Sequence, residues 1–177
     1  MTNDDLYRLL RPAVMTVSGV PMVIMAAQNA PAPTGSYASI HVRTDIGERG
    51  MAAQSKRLLD DNETFEHTNT SHQEVTCVVE FYRAAAKEYA ANLLQIDKRE
   101  DVIWPLFKAG INIMRTGRVL DLTALQSDQY EERAHVDLYL RMDVSQQYDI
   151  NRILEASATV QNEDGDDLQT VTTTVNP

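Results

Sequence analysis

A strict two-residue alternation in the segment "RAHVDLYLRMDV", residues 133–144, constrains the fold more than any other feature. Apolar residues at every second position from Ala134 to Val144 alternate with residues that are charged or carry a polar tip. Successive side chains of a strand point to opposite faces of a sheet. The pattern therefore predicts a long strand with one buried face and one solvent-facing face.

Further segments predict more strands, and the two at residues 21–28 and 36–43 are consistent with one sheet. Alternating or short apolar runs occur at residues 21–28, 36–43, 75–82, 111–122 and 152–160. The run 111–122 contains Gly117, which predicts a turn between two short strands. Asp164-Gly165 is a two-residue hairpin signal, and with the following "LQTVTTTV" it predicts a C-terminal hairpin over residues 152–176.

The N-terminal segment predicts a helix that begins after an N-cap at Asn3 and ends at Gly19. Apolar residues from Leu6 to Val17 follow helical spacing. Pro12 removes one hydrogen bond inside this segment, which predicts a kink or a division into two short helices.

Two more helices are predicted in the middle of the chain. The alanine-rich segment 84–96 contains strong helix formers. Asp97 followed three residues later by Glu100 predicts a capping box, and so the start of a short helix that ends at Gly110. Its predicted apolar face comprises Val102, Ile103, Leu106 and Phe107.

Together these elements predict an α+β fold, with helices packed on a largely antiparallel sheet. The 177 residues suit one domain spanning residues 1–177. Residues 60–74 are polar with few large apolar groups, which favours an exposed arm or long hairpin projecting from that domain.

Composition narrows the class of protein. The chain has 26 acidic and 16 basic residues and a net charge of −10, which disfavours ordinary nucleic-acid binding. Cys77 is the single cysteine, so no intramolecular disulfide is possible. No apolar run is long enough to span a bilayer, and the N-terminus lacks signal-peptide features, so we expect a soluble protein made in the cytoplasm and no membrane partner.

The sequence gives little support for catalytic groups or a metal site. His67 and His72 lie five residues apart in extended chain, which predicts opposite orientations rather than a metal site. His41 and His135 fall on polar strand faces, where solvated histidines are expected, and Cys77 falls on an apolar face. No nucleophile elbow, P-loop or zinc-protease motif occurs. We therefore predict a protein without catalysis, cofactor or metal, whose function is binding or assembly.

The segment "AAQNAPAPTGSYASIHVR", residues 26–43, places two prolines and a glycine between two predicted strands. Proline fixes φ and lowers the entropy lost when a loop becomes ordered. Such a stiff loop is preorganised for docking, with Tyr37 as an aromatic contact. The alternative interpretation is a loop that only turns the chain.

The order of three segments resembles the phage tail terminator, or neck terminator, family. They are "VIMAAQNAPAPTGSYASI", "FYRAAAKEYAANLL" and "GINIMRTGRVLDLTALQSDQYEERAHVDLYL". The family pattern joins a strand to a Gln-Asn-x-Pro-x-Pro-x-Gly-x-Tyr loop, an aromatic strand end to an alanine-rich helix, and a Gly-Ile strand to a Glu-Arg-Ala strand. The resemblance covers about two thirds of the chain and is carried by the order of the motifs.

The resemblance implies a structural virion protein of the phage neck, made in the host cytoplasm and acting without cofactor. It implies a homo-oligomeric ring, usually of six subunits, that caps the tail tube, ends its polymerisation and presents a face to the head connector or adaptor protein. DNA would pass through this ring without specific binding.

The residues that we assign to this role fall into two groups. The interface group comprises Asn29, Pro31, Pro33, Gly35, Tyr37, Glu131, Glu132 and Arg133. The acidic group, which would line the lumen or face solvent, comprises Glu163, Asp164, Asp166 and Asp167.

Two other classes of protein stay open from the sequence. One is a different neck or tail component, such as a head-completion or tail-tube protein, and a tube protein would polymerise instead of stopping at one ring. The other is a small-ligand-binding α+β domain or an undetected enzyme, which a compact monomer with a deep apolar pocket would favour.

Overall fold

The computed structural model describes residues 1–59, 64–126, 129–151 and 155–174. These residues contain three α-helices, one 3₁₀ turn and ten strands. In chain order they are α1 (Asn3–Ser18), β1 (Val23–Met25), β2 (Tyr37–Leu58), β3 (Thr64–Tyr82), α2 (Ala86–Leu93), the 3₁₀ turn (Ile96–Lys98), α3 (Glu100–Lys108), β4 (Ile111–Thr116), β5 (Leu120–Asp121), β6 (Ala124–Gln126), β7 (Gln129–Glu131), β8 (Arg133–Asn151), β9 (Glu155–Gln161) and β10 (Asp167–Thr174).

The chain forms two compact units. The first unit comprises Met1–Gly50 and His72–Val144, and the second comprises Met51–Ser71 and Ser145–Pro177. The strands β2, β3 and β8 each contribute residues to both units. The mixture of helices with a mostly antiparallel sheet confirms the predicted α+β class.

The main sheet has the strand order β1-β2-β3-β8-β4, and β5 also pairs with β8. The two edges differ in direction: β1 runs parallel to β2, whereas β4 and β5 run antiparallel to β8. Gly117 separates β4 from β5, as the sequence predicts, and its amide donates to the carbonyl of Asp137 at 2.7 Å.

The alternation of the strands does bury one face of the sheet. In β8 the residues at alternate positions from Ala134 to Met142 are at most 3% exposed. In β3 the side chains of Val75, Cys77, Val79 and Phe81 are fully buried. They share one hydrophobic core with the α1 residues Leu6, Leu10 and Val14.

Helix α1 starts one residue earlier than predicted. Its N-cap is Thr2, whose hydroxyl accepts from the amide of Asp5 at 3.2 Å, while the Asp5 carboxylate accepts from the amide of Thr2 at 2.8 Å. This reciprocal pair stabilises the first turn more completely than a cap at Asn3 could. Gly19 ends the helix at φ 79° as predicted. Pro12 lies inside one continuous helix, so the alternative of two short helices was wrong.

Helix α2 confirms the predicted alanine-rich helix, but two expectations about α3 were wrong. Asp97 lies inside the 3₁₀ turn, so it cannot cap α3, whose N-cap Arg99 makes no side-chain cap bond. The predicted apolar face is divided: Val102 and Leu106 are buried, whereas Phe107 is 58% exposed. Helical geometry explains this, because Phe107 stands about 100° around the axis from Leu106.

The second unit contains the hairpin of β9 and β10, which pair antiparallel from Gln161↔Asp167 to Glu155↔Thr174. The predicted two-residue turn was wrong: the amide of Asn162 donates to the carbonyl of Asp166 at 3.0 Å, which leaves a three-residue loop. Gly165 occupies its left-handed position at φ 87°. Residues 152–154, 175 and 176 of the predicted hairpin lie outside the described residues.

Residues 64–74 of the predicted arm belong to β3, and its residues 60–63 lie outside the described part of the chain. The amide of Leu59 donates to the carbonyl of Thr64 at 2.9 Å, which connects β2 with β3. Within the second unit the His67 ring lies 5.5 Å from the Tyr148 ring, and the hydroxyls of Thr70 and Ser145 are 3.1 Å apart. That this segment projects as an arm stays a prediction.

Two smaller observations complete the fold. Strands β6 and β7 form a separate two-stranded sheet, in which Leu125 pairs with Tyr130 and both side chains are exposed. Of the helices in the described residues, none combines the length and the apolar character needed to cross a membrane.

Candidate docking loop and its clamp

The proline loop, residues 26–36, connects β1 to β2. Because these two strands are parallel, the chain must return along the full strand length before it can pair again, so a tight turn cannot make the connection. Backbone hydrogen bonds fix both ends of the loop: the amide of Ala26 donates to Ile40, and that of Ala38 donates to Met22, both at 2.9 Å.

Arg83 holds the loop from the neighbouring part of the sheet. Its guanidinium Nη1 donates to the backbone carbonyls of Pro33 and Gly35, the latter at 3.0 Å. Ser36 adds a bond from its hydroxyl to the carbonyl of Ala84 at 2.9 Å. Bonds from a rigid planar guanidinium to two carbonyls of one loop fix its conformation. Arg83 itself sits at φ 71°, at the end of β3.

Tyr37 stacks on Tyr82 beneath the loop, with ring centroids 4.7 Å apart and an interplanar angle of 10°. Arg83 lies 5.5 Å from the Tyr37 ring centre, and Arg133 lies 5.2 Å from that of Tyr82. Tyr37 is only 7% exposed, so its ring supports the loop from inside the chain and offers little free surface.

The hydroxyl of Tyr82 donates to the Glu80 carboxylate at 2.6 Å. Burial, and next this bond to a carboxylate, raise the pKa of Tyr82 to about 12, because both disfavour the charged phenolate. Burial also raises the pKa of Tyr37. Both rings therefore stay neutral and packed throughout the physiological range.

The structure brings the predicted Glu131, Glu132 and Arg133 to the same place. Arg133 Nη2 lies 2.7 Å from Glu131 Oε2, and Arg83 Nε lies 3.7 Å from Glu131 Oε1. The hydrogen bond to Glu131 also raises the pKa of Arg133. Glu132 Oε1 accepts from the amide of Lys87 at 3.1 Å, at the start of α2. Together they form the base of the proline loop. We call the five residues Tyr82, Arg83, Glu131, Glu132 and Arg133 the clamp.

Asn29 and Pro31 lie in the exposed part of the loop. Gly35 is exposed as well, but its carbonyl accepts from Arg83; Pro33 is half-buried and Tyr37 is buried, so these three residues connect the loop to its support. Tyr82 and Arg83 were missed as site residues by the sequence analysis. The sequence shows only that an aromatic pair and an arginine, "FYR", stand directly before the alanine-rich helix; the left-handed φ of Arg83 and its contacts with the loop appear only in the structure.

The acidic residues Glu163, Asp164 and Asp166 lie in the connection between β9 and β10, and Asp167 begins β10; all four are exposed and belong to the second unit. Asn162 Oδ1 orders this loop by accepting from the amides of Asp164 and Asp166, at 3.1 and 2.7 Å. The carboxylates of Glu163 and Asp164 point to no bonding partner among the described residues.

His41 agrees with the solvated pattern expected of it, with 42% of its side chain exposed, whereas the His135 side chain is only 19% exposed. His41 Nε2 and His135 Nδ1 each lie 3.8 Å from a Glu80 carboxylate oxygen, and His135 Nε2 lies 2.9 Å from Asp137. The contacts with Glu80 join neighbouring strands on the polar face of the sheet, whereas His135 and Asp137 lie two residues apart on β8. Across the described ranges, no group of three or more His, Cys, Asp or Glu residues is arranged to hold a metal ion.

Cys77 is fully buried in the sheet, and burial raises the pKa of its thiol. A thiol that stays protonated is a poor nucleophile. The position of Cys77 therefore agrees with a packing role on the apolar face of the sheet.

Fold and site together define a class: an α+β protein with a proline loop that hydrogen bonds from Arg83 and Ser36 hold in place. The chain belongs to the phage neck terminator protein family, whose model matches residues 4–166. The resemblance in the sequence is thereby confirmed. No curated protein matches the chain.

Membership places the protein among the structural components of the phage tail and neck, where it contacts other tail or head components. The family is a structural one, and no observation on the described residues argues for catalysis.

Proposed function

We propose that the protein forms a homo-oligomeric ring, of six subunits as the resemblance implies, that caps the tail tube in the virion. The ring ends tube polymerisation and presents its other face to the head connector or adaptor protein. This assignment refines the neck role that the family supports.

The observation that carries the proposal is the clamped proline loop. A loop held by Arg83, Ser36 and two backbone bonds has already lost its conformational freedom before a partner arrives. Ordering an interface loop on binding otherwise costs free energy that reduces affinity. A loop that is already ordered therefore suits a defined contact with a partner.

Within this proposal the interface residues have two roles. Asn29 and Pro31 meet the partner, since they are exposed. Tyr37, Glu131 and Arg133 support the loop from behind through stacking and ion pairing, and Pro33, Gly35 and Glu132 are bonded to that support.

The net charge of −10 suits a protein through which DNA passes. Phosphates bind Lys and Arg by releasing counterions, and an acidic surface offers no such gain. We assign the acidic residues Glu163, Asp164, Asp166 and Asp167 to the DNA passage.

The proposal is tested by replacing Pro31 and Pro33 together with glycine. Glycine restores the backbone freedom that proline removes, so the loop loses preorganisation. We expect a folded protein with an unchanged melting temperature to within a few degrees, but overlong or headless tails when it replaces the native chain in infected cells. Electron microscopy measures the tail lengths.

Pro21→Gly is the matched control, because Pro21 is also exposed but precedes β1 instead of lying in the proline loop. The control should give tails of normal length. Tails of normal length with the Pro31/Pro33 double variant would contradict the docking role of the loop.

A further inference from the structure

We propose that neighbouring subunits are joined by the indole of Trp104, which enters a small pocket under the proline loop of the next copy of this chain. The inference rests on the proposed ring and names its subunit contact. Two features of the first unit lead to it. One is the pocket under the proline loop, which we call the socket, and the other is the exposed aromatic pair Trp104 and Phe107, which we call the knob. They lie beside opposite edges of the main sheet.

The socket lies between the proline loop, β1 and β2 and has a volume of about 200 Å³. Its walls include Ile24, Met25, Ala32, Tyr37, Ser39 and Tyr82. An apolar cavity of about 150 Å³ suffices for benzene, whereas pockets for small-molecule ligands usually exceed about 300 Å³. The size therefore fits one inserted aromatic side chain better than a cofactor or metabolite.

Ser39 gives this socket a polar requirement. Its side-chain oxygen is buried and has no hydrogen-bond partner of normal geometry among the described residues. The nearby Tyr82 hydroxyl donates to Glu80 instead. Ser39 also approaches the Tyr82 oxygen and lowers the pKa of Tyr82 against the larger effect of burial, but its lone pairs stay free to accept, so the socket suits an occupant that is mostly apolar and carries one polar group such as an N–H donor.

The knob is formed by α3. Trp104 is 59% exposed and Phe107 is 58% exposed, and their rings stack with centroids 5.9 Å apart. Two neighbouring exposed aromatic side chains are typical of an interaction surface. The indole supplies a large apolar body and one N–H donor, which is the combination that Ser39 and the socket walls require.

The positions of knob and socket suit a ring. The socket adjoins β1, at one edge of the main sheet, whereas α3 leads directly into β4, at the other edge. Two different surfaces on one subunit form a heterologous contact, which can be repeated from copy to copy until the ring closes.

The charges beside the two surfaces are complementary. Lys108 Nζ lies 5.3 Å from the Trp104 ring centre and has no ion pair within the described ranges. On the socket side, the Glu80 carboxylate lies behind the wall residues His41 and Tyr82; it is 28% exposed, accepts from the Tyr82 hydroxyl and lies 3.8 Å from His41 and from His135. Opposite charges at the rim of a contact steer the approach and fix the orientation.

Trp104 is the only tryptophan in the chain, so its fluorescence reports the contact directly. We expect the emission of the purified full-length protein to shift to shorter wavelength as rings form with increasing concentration, and iodide quenching to decrease in parallel. Light scattering on the same samples gives the oligomer size. Rings in which Trp104 keeps the emission and quenching of a solvent-exposed indole would overturn the proposal.

Three variants identify the surfaces. Trp104→Ala removes the knob and Ala32→Phe fills the socket, and each should weaken self-association at least about thirtyfold, as expected for an aromatic hot spot. Tyr130→Ala is the control, since Tyr130 is 79% exposed and lies outside both surfaces. It should associate like the native chain. Equal loss in the control and the two test variants would contradict the assignment.

Mixing the two defective variants gives the sharpest test. A Trp104→Ala subunit keeps a socket and an Ala32→Phe subunit keeps a knob, so a 1:1 mixture should form dimers that stop there. Full rings in the mixture, or no association at all, would contradict a heterologous contact through these two surfaces.

The outcomes separate this inference from the proposed function. If native rings cap tubes and Trp104→Ala rings do so equally well, the subunit contact is wrong and the proposed function stands. If the native protein forms no ring alone or on purified tail tubes, both fail. If Trp104 becomes shielded only when purified tube protein is added, the occupant is the tube protein, and the second-copy assignment is wrong.

Discussion

The two parts of strand β8 form the same secondary structure in different surroundings. From Arg133 to Met142 every second side chain is buried, whereas all residues from Ser145 to Asn151 are exposed. Strand β2 repeats the contrast: Tyr37–Ile40 are buried, and residues 44–58 are exposed throughout. The comparison teaches that pairing between strands continues beyond the hydrophobic core that stabilises their first parts.

The difference is chemical as well as geometric. The buried part of β8 alternates Ala, Val, Leu, Leu and Met, whereas "SQQYDIN" interrupts this alternation at Gln146 and continues it only with Tyr148 and Ile150, which are both exposed. Free energy of burial, at about 25 cal/mol per Å² of apolar surface, therefore acts mainly in the first part. Segments with few buried apolar contacts open locally at lower free energy than the core.

The largest effect that tests this comparison is expected for Leu140→Ala, with Ile150→Ala as its partner in the same strand. Leu140 is fully buried, so its truncation should lower the free energy of unfolding by about 2–5 kcal/mol. Ile150 is 43% exposed, and its truncation should cost less than about 1 kcal/mol. Urea denaturation measures both, and equal losses would mean that the two parts of β8 share one core.

A smaller effect is expected at alkaline pH from the clamp. The pKa of Tyr82 is about 12 in the folded chain and about 10 in an unfolded one, so the unfolded chain releases this proton first. The contribution of Tyr82 to stability is therefore complete below pH 10 and is lost as the pH rises through 12. Tyr82→Phe should flatten the decline in unfolding free energy between pH 10 and 12.

Urea titrations at four pH values from 9 to 12 would measure this decline in the native chain and in Tyr82→Phe. The fall that remains in the variant comes from the other groups that titrate in this range, Tyr37 among them. An identical pH profile for both proteins would show that Tyr82 ionises in the folded chain as readily as in the unfolded one.

The smallest effect on stability is expected in the exposed loop of the second unit. Replacing Glu163, Asp164, Asp166 and Asp167 by lysine should change the unfolding free energy by about 0.5 kcal/mol or less, since surface substitutions rarely do more. The same variant should bind duplex DNA with an affinity that falls steeply with salt. Virions assembled with it should eject DNA more slowly, and ejection at the native rate would place the loop outside the passage.

The sequence predicted the parts of the fold in which period and burial coincide. The alternation of β8 and β3, the alanine-rich helix and the left-handed Gly19 all follow from local rules, and each is confirmed. The proline loop was also recognisable, because proline and glycine reveal backbone restrictions without any tertiary information.

The remaining features depend on contacts between distant residues. Arg83 reaches Pro33 across 50 positions, and sequence gives no sign of which loop an arginine will hold. The wrong prediction that Asp97 caps α3 has the same cause. A capping box and a 3₁₀ turn begin with similar residues, so the local sequence does not distinguish them. For Phe107, helical spacing marked a hydrophobic residue correctly but could not decide whether the chain itself covers it.

The pairing of β3 with β8 also affects how the chain is made on the ribosome. Tyr82 ends β3 and Arg133 begins β8, so at about 5–20 residues per second the partner of β3 emerges several seconds later. During that interval one edge of β3 waits without its partner, and an unpaired edge is a site of aggregation. The Thr, His, Glu and Asn residues of segment 64–74 give this part of β3 little apolar surface, and strands of that composition have a lower tendency to aggregate through an open edge.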